Sequence, residues 1–227
     1  MRFNHLSILS TLTALVLAAS VSASPQNTKD FDRYFSKASM AYKVPEPVLR
    51  SICHIESKGN PWAININGIG FKPKSEAEAL ALLSATESRP WLLTIEYPRQ
   101  AKRYNFFASK TEAKKALSDI YSRNRRWYLP NPKSTSIRKL DMRSVDIGLM
   151  QINHLYHGRH FNAKADLFDP ETNILYAAKY FRQLLNRHGT IKKAVAHYHS
   201  NTDRYQRIYL SQFWPIYQQL IGPRKKV

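Results

Sequence analysis

The sequence predicts a mainly α-helical chain with a small α+β insertion, on three observations. Apolar residues recur at helical spacing from about residue 30 to 57 and again from about 169 to 220. Between them, from about 66 to 141, short β-prone runs alternate with capped helices. The single cysteine, Cys53, permits no internal disulfide, so a packed core must hold the fold, and 227 residues suffice for one.

Taken in order, the chain opens with Arg2, an apolar run from Leu6 to Ala19, and Val21-Ser22-Ala23. This pattern predicts a signal peptide over 1–23, cleaved after Ala23. The run falls short of the roughly 20 residues that span a bilayer. No cysteine follows it to carry a lipid, and no later stretch is apolar enough to span. The expectation is a periplasmic or secreted protein that is not an integral membrane protein after cleavage.

Phe31, Tyr34, Phe35, Ala38, Met40 and Ala41 place a first helix over 30–42. Val44-Pro45-Glu46-Pro47 breaks it and starts a second, since prolines in a first turn forfeit no helical bond. Gly59-Asn60-Pro61 stops that helix near Ser57. Asn67-Gly68 between Trp62–Ile66 and Ile69–Lys72 is a hairpin signal. Ser75-x-x-Glu78 and Ser109-x-x-Glu112 are capping-box patterns, opening helices to about Ser84 and Tyr121. Strands are expected at 91–97 and 103–107. The stretches Phe71–Ala77 and Phe107–Ala113 align weakly, which leaves duplication and coincidence equally open. Arg123 to Lys139 reads as an exposed basic loop. Asp169-Pro170 starts an amphipathic helix carrying Ile174, Leu175, Ala178, Phe181, Leu184 and Leu185, ended by His188-Gly189. A short helix at 190–199 and a last one at 204–220, interrupted by Pro215, complete the chain. The domain reading is therefore a core of 24–65 and 142–227 around an insertion at 66–141.

The net charge of +19 favours a polyanionic partner. Charge alone does not choose between nucleic acid and a bacterial cell wall, whose peptide stems carry carboxylates. The export signal tilts the choice to the wall and away from nucleic acid.

Glu56 follows Leu49, Ile52 and Cys53 on one helical face. At the edge of a buried face a carboxylate is partly desolvated, and desolvation raises its pKa. Such an acid can protonate a leaving oxygen. Locally, an ordinary solvated helix-end glutamate fits as well. Farther along, Asp146-Ile147-Gly148-Leu149-Met150-Gln151-Ile152-Asn153 is a glycine-opened, largely uncharged stretch suited to lining a groove.

Together, Glu56-Ser57-x-x-Asn60-Pro61-x-Ala63 and Gly148-Leu149-Met150-Gln151-Ile152 resemble the lytic transglycosylases of the soluble and goose-type-lysozyme-like kind. Asp169-Pro170-x-x-Asn173-Ile174 also matches the spacing of that family. The resemblance implies a lysozyme-like helical core and cleavage of peptidoglycan glycan strands with 1,6-anhydromuramic products, without metal or cofactor. It implies that Glu56 is the catalytic acid and then base, that Ser57 holds the helix end, and that Met150 and Gln151 line the groove. Asn65, Gly148, Asn153 and Tyr198 join Ser57, Met150 and Gln151 as candidate substrate-binding residues. Tyr198 is expected to orient the catalytic carboxyl, although His199 and Asn201 depart from the family's Tyr-Asn-x-Gly turn. The insertion and the Tyr-His-Ser variant also resemble transglycosylases that serve secretion or conjugation machinery, which implies such an apparatus as a partner.

Asp146 is the leading candidate for the second carboxylate that a hydrolytic muramidase needs, ahead of Asp141 and Asp166; a structural role for it is favoured. His154, His157 and His160 invite a metal reading, but Gly158 interrupts them and no acidic or cysteine ligand sits at a familiar spacing, so a basic surface is favoured. Arg123, Arg125, Arg126, Trp127 and Tyr128 interleave charge and rings in a manner that suits nucleic acid or sugars, with a plain solvated loop favoured over both. The alternatives to a transglycosylase are a hydrolytic muramidase, a non-catalytic peptidoglycan-binding or assembly factor, and a basic nucleic-acid-binding protein.

Overall fold

The computed structural model describes residues 16–18 and 31–222. Apart from 16–18, the expected signal peptide lies outside the described residues. The elements run β1 (Val16–Ala18), α1 (Asp32–Tyr42), α2 (Glu46–Glu56), β2 (Ile64–Ile66), β3 (Ile69–Phe71) and α3 (Glu76–Ser88). They continue with β4 (Trp91–Glu96), β5 (Arg103–Phe107), α4 (Lys110–Arg126), β6 (Ser134–Lys139), β7 (Val145–Ile147) and β8 (Ile152–Asn153). The chain closes with α5 (His154–His157), α6 (Pro170–His188), α7 (Ile191–His199) and α8 (Asp203–Ile221). The fold is mainly α, with small antiparallel sheets and an α+β portion between the helical parts.

The described residues divide into two compact units, 31–82 with 142–222, and 83–141 with 16–18. Residues 66–82 thus group with the helices, although the sequence reading opens the insertion at 66. The cause is strand pairing: β2 bonds β3 on one side and β7 on the other, Asn65 standing opposite both Gly70 and Asp146.

In the larger unit α1 packs on α6, α2 on α8, and α7 on both α6 and α8. Its buried positions are those a 3.6-residue period selects: Val48, Leu49, Ile52 and Cys53 on α2, and Ile174, Ala177, Ala178, Phe181 and Leu184 on α6. On α1 only Phe35 and Ala38 are buried; Met40, expected on the same face, is 76% exposed because it falls off the 35–38 stripe. The Asn67-Gly68 turn forms as predicted, with φ of 50° and 83°. The buried Cys53 thiol is pushed up to about 12 by its apolar surroundings, which suits packing rather than reaction.

In the smaller unit the sheet order is β1-β5-β4-β6, all antiparallel. Leu93, Ile95, Phe107 and Ala113 form its core, covered by Ala116, Leu117 and Ile120 from the same face of α4. The basic stretch from 123 to 139 is not one loop. Its first residues finish α4, and 134–139 form β6, paired along its whole length with β4. The two weakly aligned heptapeptides start their helices at different positions. The helix cap is the fifth residue of one (Ser75, accepting from the Glu78 amide at 3.2 Å) and the third of the other (Ser109, accepting from the Glu112 amide at 3.1 Å).

One side chain joins three segments of the larger unit. Asn173, fully buried on α6, donates through Nδ2 to the carbonyls of Ile147 (3.0 Å) and Leu167 (2.8 Å). Its Oδ1 accepts from the Met150 amide at 2.8 Å. Gly148, at φ 83°, lies against this amide: a Cβ there would collide with the Leu167 carbonyl and with Asn173 itself. Removing the Asn173 side chain strands one amide and two carbonyls in the core. Asn173→Ala is therefore expected to lower the free energy of unfolding by about 3 kcal/mol, measured by urea denaturation.

Candidate active site

Glu56 is the last residue of α2, and Ser57 turns the chain out of the helix. Ser57 is buried; its hydroxyl donates to the Cys53 carbonyl at 3.2 Å and accepts from the Gly59 amide at 3.1 Å. It holds the helix end, as the resemblance implies. It does not line the cleft: its hydroxyl is buried and bonded to the backbone.

The Glu56 carboxyl looks into a cleft of about 630 Å³ lined also by Asn65, Asp146, Gln151, Asn153, Tyr156, His157, Tyr180, Tyr198, His199 and Asn201. Burial pushes its pKa up to about 7, the charge of Asp146 adds to that, and a hydrogen bond from Tyr209 opposes it. That bond, from the phenol to Oε1, measures 2.7 Å. With Oε1 so engaged, the carboxyl proton belongs on Oε2.

The phenol that holds Glu56 is thus Tyr209 of α8, where the sequence reading placed Tyr198. Tyr198 lines the cleft but donates to the Met150 carbonyl at 2.8 Å. No local signal marks Tyr209. Only the packing of α2 on α8 brings it, 153 residues away, to the carboxyl. His199 stacks on the Tyr209 ring at 4.4 Å and 9° between planes, with its Nδ1 4.0 Å from Glu56 Oε1. Burial lowers the His199 pKa, so the ring is neutral near pH 7 and the approach is no ion pair there.

The Gly148–Asn153 stretch contributes unevenly. Gly148 and Met150 are buried and face away from the cleft; Met150 serves through its carbonyl and Gly148 through its turn. Gln151, at φ 46°, folds its amide back to the carbonyls of Ala63 (3.0 Å) and Gly148 (2.9 Å). Asn153 caps α5 through Oδ1, accepting from Leu155 (3.0 Å) and Tyr156 (3.4 Å), and donates to Asp146 Oδ1 at 2.6 Å. Asn65 lines the cleft while its Oδ1 accepts from the Gly68 amide at 2.9 Å. Of the candidate substrate-binding residues, Asn65, Gln151, Asn153 and Tyr198 reach the cleft, and Ser57, Gly148 and Met150 do not.

Asp146, half-buried on β7, faces the same cleft, and burial raises its pKa while the Asn153 bond lowers it. Asp166 instead caps a turn, accepting from the amides of Asn162 (2.9 Å) and Ala163 (3.1 Å). Of the three histidines after Asn153, His157 lines the cleft, bonds the Tyr176 hydroxyl at 2.9 Å and meets Tyr180 edge-on; the His154 ring lies over Gly158; and the exposed His160 lies beside the Tyr176 ring. Among the described residues no group of three or more His, Cys, Asp or Glu is placed to hold a metal ion. A cleft of amides and aromatic rings around one poised acid suits a polyhydroxylated substrate and proton transfer to an oxygen leaving group.

The raised Glu56 pKa couples folding to pH. Below the unfolded value of 4.5 both states are protonated. As pH rises from there to about 7, the unfolded chain loses the proton first, so folding is progressively penalised, by on the order of 3 kcal/mol once both states are ionised. Glu56→Gln keeps an acceptor for Tyr209 without the charge. It is expected to be more stable than the parent at pH 8 and equal to it near pH 4, by thermal melts at the two pH values.

Comparison with known proteins adds one finding. Residues 129–215 match the family model described as transglycosylase SLT domain. The match takes in Asp146, the Gly148–Asn153 stretch, Asn173, Tyr198 and Tyr209, and begins after Glu56. No curated protein and no solved structure matches the chain. Residues 129–215 are thus similar to a transglycosylase SLT domain, a match consistent with a lysozyme-like lytic transglycosylase.

Proposed function

We propose that this protein is a periplasmic or secreted lytic transglycosylase that cleaves the β-1,4 bond between N-acetylmuramic acid and N-acetylglucosamine in peptidoglycan. The observation that carries the reading is the Glu56 carboxyl, buried in the cleft with a pKa of about 7 and one oxygen held by Tyr209. Glu56 Oε2–H protonates the glycosidic oxygen as the bond to C1 breaks, and the substrate's own acetamido group supports the positive charge at C1. The carboxylate then takes the proton of the muramic 6-hydroxyl as that oxygen bonds C1. The ring closes as a 1,6-anhydro end, Glu56 regains its proton, and no water is consumed. Recruitment by a secretion or conjugation apparatus belongs to the same proposal, motivated by the chain inserted between the two halves of the signature.

A second reading has an observation of its own. Asp146 shares the cleft with Glu56 and acts on it electrostatically, and an inverting muramidase needs a second carboxylate to activate water. Digestion of purified sacculi followed by mass spectrometry of the muropeptides separates the readings. Anhydro ends support the transglycosylase, reducing ends support the hydrolase, and no release supports a non-catalytic wall-binding factor. Asp146→Asn is expected to leave anhydro products, whereas a hydrolase would lose its products with that change.

Glu56→Gln is expected to cut product release by about a thousandfold. Because the protonated acid is the active form, the rate should fall as pH rises through about 7. Tyr209→Phe removes the bond that favours the carboxylate, so the falling limb should move to higher pH, as read in rate–pH profiles of the two proteins.

A further inference from the structure

The smaller unit carries a surface that the cleft chemistry does not use. α4 ends in Arg123, Arg125 and Arg126, and Trp127, Tyr128 and Leu129 follow. Trp127 is 63%, Tyr128 97% and Leu129 48% exposed. Rings standing in water add nothing to the core, yet their backbone is fixed. The Trp127 amide donates to the Arg123 carbonyl at 3.0 Å, that of Tyr128 to Arg125 at 3.4 Å, and that of Leu129 to Asn124 at 2.8 Å. The buried Asn124 side chain donates to the Pro130 carbonyl at 2.9 Å and so holds the far side of the turn. Tyr128 sits at φ 51°, a left-handed conformation that bulky L residues seldom take. The Arg126 guanidinium lies over the Trp127 ring at 5.4 Å. Beside Tyr128 opens a concavity of about 370 Å³, lined by Tyr121, Asn124, Arg125, Leu129 and Asn131.

We propose that this basic, aromatic turn is a second saccharide-binding site, taking an anionic glycan strand through residues that have no part in bond cleavage. The proposal rests on the peptidoglycan reading above. Aromatic faces stack on the C–H faces of sugar rings, guanidinium forks pair with carboxylates of the peptide stems, and the Asn131 amide and Tyr121 hydroxyl suit hydroxyl and acetamido groups. The charge fits: residues 83–141 hold thirteen lysines and arginines against five acids. A membrane-inserting tip would present a convex apolar point, whereas here Tyr128 edges a concavity whose lining includes Arg125, Asn124 and Asn131. The fixed backbone lowers the ordering cost of binding.

The test uses the Glu56→Gln protein, so that substrate is not consumed. Sedimentation with purified sacculi gives its affinity. Trp127→Ala/Tyr128→Ala is expected to bind about tenfold more weakly, with an unchanged melting temperature because both side chains are exposed. Trp127→Phe/Tyr128→Phe, which keeps ring faces, is expected to restore most of the binding. An alanine variant that sediments as tightly as its parent overturns the proposal. So does a parent that binds phosphatidylglycerol–phosphatidylcholine vesicles or single-stranded DNA more tightly than sacculi, with that binding lost in the alanine variant. Failure of the catalytic reading shows separately, as the absence of muropeptide release by the unsubstituted chain.

Discussion

A single buried amide underlies the geometry of the site. The turn from Gly148 to Met150 carries no charge, and although Leu149 and Met150 bury their side chains, apolar contact alone does not aim its backbone amides and carbonyls. Asn173 does so, bonding Ile147, Met150 and Leu167 at once, and Gly148 permits the approach by having no Cβ. Met150, so placed, offers its carbonyl to Tyr198, and Gln151 ties the turn to Ala63. The strand before the turn carries Asp146 and the strand after it carries Asn153. A hydrogen-bonded group in a low-dielectric interior is costly to leave half satisfied, so this cluster forms as a unit or not at all.

Glu56 gains its chemistry from the same packing. Its helix is short and ends at the carboxyl, and α8 crosses there with Tyr209. Desolvation and one phenolic bond act in opposite directions on its proton, and desolvation wins. The neutral His199 stacked on Tyr209 fixes the phenol ring without adding a cation that would favour the carboxylate. The acid is therefore kept by what the site excludes as much as by what it contains.

Much of this was legible in the sequence wherever a local rule decided it. The α2 stop, the Asn67-Gly68 hairpin, the Asp169 cap and the Glu56 face each rest on a few neighbouring residues. The paired motif marked the two stretches the fold brings together. What escaped depends on long-range pairing. β6 has an alternating but mostly polar sequence and becomes a strand because β4 offers it an edge. Residues 66–82 join the larger unit because β7 returns to β2. Tyr209 is one of several aromatics on α8, and only the crossing with α2 singles it out. Ser57 and Met150 look like groove residues in the motif but serve backbone bonds, a distinction that side-chain direction alone settles.

The protonation state of Glu56 links the fold to the chemistry most directly. Carbon-detected NMR of the glutamate side-chain carboxyls, with Glu56→Gln identifying the signal, would follow its titration in the folded protein. A midpoint near about 7 is the predicted result. A midpoint in the ordinary glutamate range, about 4.3, would show a solvated carboxylate and contradict the claim that burial keeps this residue an acid.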